Sequence, residues 1–242
     1  MHKLVEIAKI RFAETATKQI DFVKDNKVDE FLNDLEQYPY AFVLACIMDR
    51  QIKAERAWKI PYSVCDILET RDICELVKVP EQEYIEIFEQ NKLHRFNKEM
   101  AINFHKALIR IRDVYNFDAS KIWSGNPSSA SVVYRFLEFC GCGIKISTMA
   151  ANILARQFKV PFSDYYSIDI SPDVHIIRVM KRIGFVDANA NNNMIIYKAR
   201  ELNPEFPGII DFSCWEIGRN WCRPSNPDCE NCIVNKDCKK NL

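Results

Sequence analysis

The densest group of reactive side chains stands at the end of the chain. Cys222, Cys229, Cys232 and Cys238 follow the spacing C-x6-C-x2-C-x5-C. Four thiolates within seventeen residues can converge on one centre, and thiolate donors select zinc or an iron–sulfur cluster. Zinc ribbons usually present two C-x2-C knuckles and this tail has one, so spacing alone leaves both metals open. A second group is Phe139-Cys140-Gly141-Cys142-Gly143-Ile144-Lys145, where two of the six glycines fall between helical patterns. Glycine permits a tight turn and close backbone approach. Amides exposed there and at the start of the next helix suit a phosphate. A lysine at the rim of such a turn is a phosphate contact, a solvated surface group or, if its amine is kept neutral, a nucleophile. The third candidate is Asp173, in Pro172-Asp173-Val174-His175. An aspartate at a helix start ordinarily caps it, and it can also face positive charge developing in a reaction. His175 is expected to support helix packing.

The elements that must position these groups read as helical. Residues 3–23 and 28–38 carry apolar residues at spacings of three and four, and Pro39 opens an apolar segment that reads as a buried helix. Pro61 and Pro80 punctuate further short helices. A broad apolar stripe covers Asn97 to Tyr115, and a turn through Lys121-Ile122-Trp123-Ser124-Gly125 leads into the helix that precedes the hairpin. No repeat and no strand alternation emerges, so the fold class is all-α.

Composition bounds the rest. With 242 residues the chain can build one large domain or two small ones. An apolar share of 48% fits a soluble globular protein. No apolar run is long enough to span a membrane, and the N-terminus mixes charges into its apolar pattern, unlike a signal peptide. A cytoplasmic location is expected. Lys plus Arg and Asp plus Glu are 33 each, so any nucleic-acid surface must be a local basic face rather than an overall excess. Cys46, Cys65, Cys74 and Cys214 sit in apolar surroundings and are expected to pack as small hydrophobes. In a reducing compartment the terminal cluster suits metal better than disulfides.

These three places resemble one family, the helix-hairpin-helix base-excision DNA glycosylases of the endonuclease III type. The cysteine spacing is similar to that family's cluster loop, as is Ile217-Gly218-Arg219 ahead of Trp221-Cys222. The hairpin resembles Leu-Pro-Gly-hydrophobic-Gly-Arg-Lys, with Cys140 in place of the proline and Ile144 in place of the arginine. Asp173 to Val179, extended by Arg182, Gly184 and Phe185, resembles the Asp-x-His-hydrophobic-x-Arg-Val segment.

The resemblance implies two helical domains flanking a DNA-binding cleft. A six-helix barrel with the helix-hairpin-helix would cover residues 30–157, and a cluster domain would combine residues 1–29 and 158–242. It further implies a [4Fe–4S] cluster on Cys222, Cys229, Cys232 and Cys238. Lys145 would be the Schiff-base nucleophile and Asp173 the catalytic carboxylate. Gly141 and Gly143 would meet a DNA phosphate, and Arg50 or Gln51 would fill the gap left by an extruded nucleotide. The partner would be double-stranded DNA with a lesion, mismatch or abasic site, bound by a monomer. The implied activity is removal of a damaged or mismatched base with cleavage at the abasic site. Alternatives are a monofunctional glycosylase using Asp173 and water, and a non-catalytic DNA- or RNA-binding cluster protein on the same scaffold. Two departures stand out. Lys145 and Asp173 are 28 positions apart, further than in the family's shorter members, with the extra residues expected between Phe158 and Ile170. The cluster loop pairs Arg223 with Asp228 and is less basic, which Lys98, Lys106, Arg110, Arg178, Lys181 and Arg182 are expected to offset.

Overall fold

A computed structural model describes residues 2–14 and 19–241. Among these the regular structure is helical, without strands, as expected. The helices are α1 (Lys3–Ala13), α2 (Asn26–Asn33), α3 (Pro39–Met48), α4 (Ala54–Ile67), α5 (Ile73–Leu76) and α6 (Glu81–Gln90). They continue with α7 (Asn97–Tyr115), α8 (Ser129–Leu137), α9 (Ile144–Arg156), α10 (Val174–Ile183), α11 (Asn192–Leu202) and α12 (Asp211–Asn220). None among the described residues is long and apolar enough to cross a membrane.

The chain divides into two compact units. One comprises Thr17–Pro127 and Tyr134–Ala150. Its centre is α3, which starts on Pro39 and is buried at every position from Pro39 to Met48. Pro at the first helical position costs no hydrogen bond, and an all-round apolar helix must be enclosed. Helices α4 and α7 pack on α3, and α6 packs on α7. The α7 stripe of Met100, Ala101, Phe104, Ala107, Leu108 and Ile111 is buried, and the helix ends on Asn116 in the left-handed region (φ 51°). Phe42, Phe88, Phe104 and Phe136 are fully buried, each stabilising by about 1.5–3 kcal/mol.

Three local expectations give way to packing. The 3–23 periodicity yields a helix only to Ala13; Thr15 to Lys18 lie outside the described residues. Beyond them the backbone finds side-chain partners in place of helical ones. Ile20 exchanges two 2.9 Å hydrogen bonds with the Asn33 amide, while Val23 and Asp25 donate their amides to Asp29. Pro61 does not end α4, which runs through it. Burial of Ala57, Trp58, Ile60, Val64 and Cys65 outweighs the ~3 kcal/mol that an interior proline costs. Cys46, Cys65 and Cys214 are buried as expected, but Cys74 is exposed, because its four-residue helix turns only Leu76 inward.

The other unit comprises Met1–Ala16, Ser128–Val133 and Ala151–Leu242. Its main contact is between α10 and α12, with α1 and α11 against the turn Pro207–Ile210. A methyl group at Gly218 would lie 2.7 Å from His175 Cβ and 3.1 Å from its Cα. Gly218→Ala therefore has to push α10 away from α12. The expected loss is about 1–3 kcal/mol, each kcal/mol lowering the thermal midpoint by roughly 2–4 °C. A melting curve identical to wild type would refute the tight approach.

Candidate functional site

The cysteine tail leaves α12 through Cys222, whose amide donates to Ile217 O at 2.7 Å. The loop is then set by Asp228, whose amide donates to Trp221 O and whose carboxylate accepts from the Asn231 side chain. Cys222, Cys229, Cys232 and Cys238 are all half-buried and line one pocket with Val179, Ile183 and Val234. Arg182 Nη1 stands 3.6 Å from Cys222 Sγ, and Cys238 Sγ lies 3.4 Å from Arg182 O. Burial pushes the Cys232 and Cys238 thiols up; backbone amides pull the other way, and the neighbouring cysteines push up again. A cationic centre relieves that mutual repulsion. Among the described residues no three His, Cys, Asp or Glu side chains gather tightly enough for a single metal ion.

The hairpin joins α8 to α9. Phe139 is buried, ringed by Tyr115 (centroids 6.3 Å apart) and the Arg110 guanidinium at 5.6 Å. The turn closes with Cys142 N–H donating to Phe139 O at 3.1 Å, and Gly141 takes φ +86°. A Cβ at Gly141 would also lie 2.7 Å from Asn103 Nδ2, so glycine is required there twice. At Gly143 neither a left-handed backbone nor a neighbour within 4 Å asks for glycine. Gly143 O accepts from Ser147 N–H as α9 begins. Lys145 is exposed on the first turn of α9, beside Ile144, which is 56% exposed. Cys140 is exposed, while burial, reinforced by Cys140, pushes the half-buried Cys142 thiol up to about 12.

Asp173 caps α10. Its Oδ1 accepts from the amides of His175 and Ile176, both at 2.8 Å, and the residue is half-buried. His175 packs on Gly218 and its Nδ1 lies 3.0 Å from Arg178 Nη2, a supporting role. Lys145 and Asp173 belong to different units.

Arg50 and Gln51 lie on the loop between α3 and α4. Gln51 is exposed at a left-handed position (φ 56°), whereas Arg50 is half-buried and ion-paired with Glu99. His94, which reaches the carbonyl of Met48 at the end of α3, went unread in the sequence, since a lone histidine carries no pattern. It is buried, with Nδ1 accepting from Phe96 N–H at 3.0 Å and Nε2 reaching Met48 O at 3.2 Å. Nε2 therefore carries the proton. Several cations expected to serve DNA are occupied elsewhere. Arg110 pairs with Glu138, Arg178 donates to Gly218 O and Cys222 O, and Arg182 donates to Arg223 O and Pro224 O. Lys98 and Lys106 are exposed.

No model of a known protein family matches the chain. Endonuclease III of Thermotoga maritima is 21% identical over 207 residues, which span 86% of this chain and 85% of that protein. Among solved structures, a thermostable thymine-DNA glycosylase superposes with a TM-score of 0.63 at 16% identity, covering 98% of this chain and 96% of that one. A non-covalent endonuclease III–DNA complex gives 0.60 at 18% identity, covering 89% and 93%. The chain thus has the all-helical fold of these proteins along most of its length.

Burial holds the His94 pKa below its ordinary value, with Met48 O opposing and the Arg56 charge adding to the drop. Its folded pKa lies under the unfolded one, so its contribution is present above about pH 6.5 and lost as the pH falls through the folded value. Protonating Nδ1 removes the acceptor for Phe96. Amide exchange at Phe96, corrected for intrinsic rates, is expected to quicken between about pH 7 and 5. His94→Gln is expected to abolish that dependence. A flat profile in the wild type refutes the bond from Phe96 to His94.

Proposed function

We propose that this protein is a base-excision DNA glycosylase of the endonuclease III type, acting on duplexes with a damaged or mismatched base and cleaving the abasic site it creates. The observation that carries the reading is the hairpin. Gly143 leaves open space where no internal contact needs it, and Lys145 follows on the first turn of α9. Backbone amides at such a turn take a phosphate and set the register of the strand. The likeness to endonuclease III along most of both chains supports the same reading.

The chemistry follows from the residue types. The target nucleotide leaves the stack, and Gln51, exposed where Arg50 is ion-paired, fills the gap. Lys145 Nζ, as the free amine, attacks the anomeric carbon, and the base departs with the electron pair of the glycosidic bond and takes up the proton the amine sheds. The C1′–O4′ bond then breaks, O4′ taking a proton, and the iminium left on the opened sugar acidifies the neighbouring carbon. Loss of a proton there expels the 3′ phosphate by β-elimination, and water releases the lysine. Asp173, fixed in orientation by its two capping bonds, stabilises the positive charge that builds on the sugar. The exposure of Lys145 favours a second reading, in which Asp173 activates a water and the abasic site is left intact. Cys222, Cys229, Cys232 and Cys238 would hold a [4Fe–4S] cluster, which when bound ties the loop after α12 together and supplies no atom to base removal.

The test is a panel of duplexes carrying an oxidised pyrimidine, uracil, a G·T mismatch or 8-oxoguanine. Wild type should release at least one base and form a borohydride-trapped adduct on abasic DNA. Lys145→Gln should lose the adduct. Asp173→Asn should lose base release by roughly 10²–10³-fold while still binding a tetrahydrofuran abasic duplex. Full turnover by Asp173→Asn removes its role, base release without any adduct selects the second reading, and no release from any duplex removes the enzyme. Separately, Cys229→Ser is expected to lose both the visible iron–sulfur absorbance and soluble yield. Stoichiometric zinc without that absorbance in the wild type would overturn the cofactor.

A further inference from the structure

The segment between Phe158 and Pro172 is strapped down along its length. Phe162, Ile168 and Ile170 are buried, Tyr165 stacks on Phe206 at 5.0 Å, and Asp169 forms a bidentate pair with Arg200 at 2.8 and 2.7 Å. Its last residues hang on one short stretch, the turn Pro207–Ile210 and Asp211 after it. Gly208 N–H donates to Ile168 O at 2.7 Å, and Ser171 N–H donates to Asp211 Oδ2 at 2.7 Å. That stretch is itself anchored to α9. Asn152 Nδ2 donates to Gly208 O at 2.7 Å, and a Cβ at Gly208 would lie 2.7 Å from that nitrogen and 2.8 Å from Ile168 O. One turn further along α9, the Arg156 guanidinium lies 4.2 Å over the Phe212 ring, with its Nε making no hydrogen bond among the described residues. Burial pulls Arg156 down to about 10, and the nearby Asp211 carboxylate opposes that drop.

Between Ser171, whose amide Asp211 holds, and Asp173 stands only Pro172, whose ring locks its φ. Few soft dihedrals are left, so the anchor at Ser171 sets where the backbone of Asp173 enters the cap, while the two capping bonds orient its carboxylate. We infer that Asp211 is a positioning residue for Asp173, holding the amide two residues ahead of it. This rests on the reading of Asp173 as the carboxylate of base removal. Misplacing a reacting group by about 1 Å costs up to roughly 100-fold in rate.

The experiment uses the full cluster-loaded chain and the duplex of the panel that wild type cleaves fastest. Asp211→Ala is expected to slow single-turnover base release roughly tenfold to 100-fold, with unchanged affinity for the tetrahydrofuran duplex and unchanged visible absorbance. Asp211→Asn keeps an acceptor for Ser171 N–H and should recover most of the rate. Wild-type release by Asp211→Ala overturns the inference, as does Asp211→Asn being equally slow, or a loss matched by lost binding and absorbance. Should Asp211→Ala not fold, Ser171→Pro removes the same bond from the donor side; slowed release supports the assignment and a wild-type rate overturns it. If Asp173→Asn is inactive while Asp211→Ala is normal, only this inference falls. If Asp173→Asn releases base normally, the reading of Asp173 falls first.

Discussion

Helix α10 approaches α12 so closely that Gly218 has no room for a methyl group. The approach lets Arg178 reach across to the carbonyls of Gly218 and Cys222, and Arg182, one turn on, to those of Arg223 and Pro224. The last carbonyls of a helix have no partner within it, so two arginines of α10 complete the end of α12 and the loop that follows. The first cysteine of the tail is therefore placed by the same helix whose N-terminus Asp173 caps. Removing the Arg178 guanidinium would leave the part-buried carbonyls of Gly218 and Cys222 unpaired, at about 1 kcal/mol each, whereas the exposed carbonyls that Arg182 serves can turn to water.

That use of cations bears on how the protein would hold DNA. The chain has no net charge, and Arg50, Arg110, Arg178 and Arg182 all answer to partners inside the protein. The hairpin follows suit, with Ile144 exposed where a basic residue would add attraction. On the proposed reading, phosphate recognition falls to backbone amides around Gly143 and to the start of α9. Amides of this kind are directional, and they fix register without the long-range pull of clustered lysines. Binding would then lean on geometry more than on charge.

Much of the helical framework was legible along the chain. The apolar stripe from Asn97 to Tyr115 is α7 to the residue, Pro39 opens α3, and Asp173 caps α10. Each depends on residues within four positions of one another, so each is written locally. The failures have a common cause. Residues 19–23 leave the helical pattern where Asn33 and Asp29 offer them partners, and α4 crosses Pro61 because its apolar face is enclosed. Arg178 and Arg182 looked like surface cations because nothing local reveals a carbonyl some forty residues away.

By itself the sequence determined the helical class, the four-cysteine donor set, the glycine hairpin with its lysine, and an aspartate at a helix start. These are properties of spacing and of side-chain chemistry. Only the tertiary structure decided that the four cysteines share one pocket, that Asn103 packs under Gly141, and that His94 reaches the carbonyl at the end of α3. It alone joined Asp211 to Ser171 across 40 positions. Such contacts join residues that no local period relates, and they exist because burying the apolar faces of separate helices brings them together.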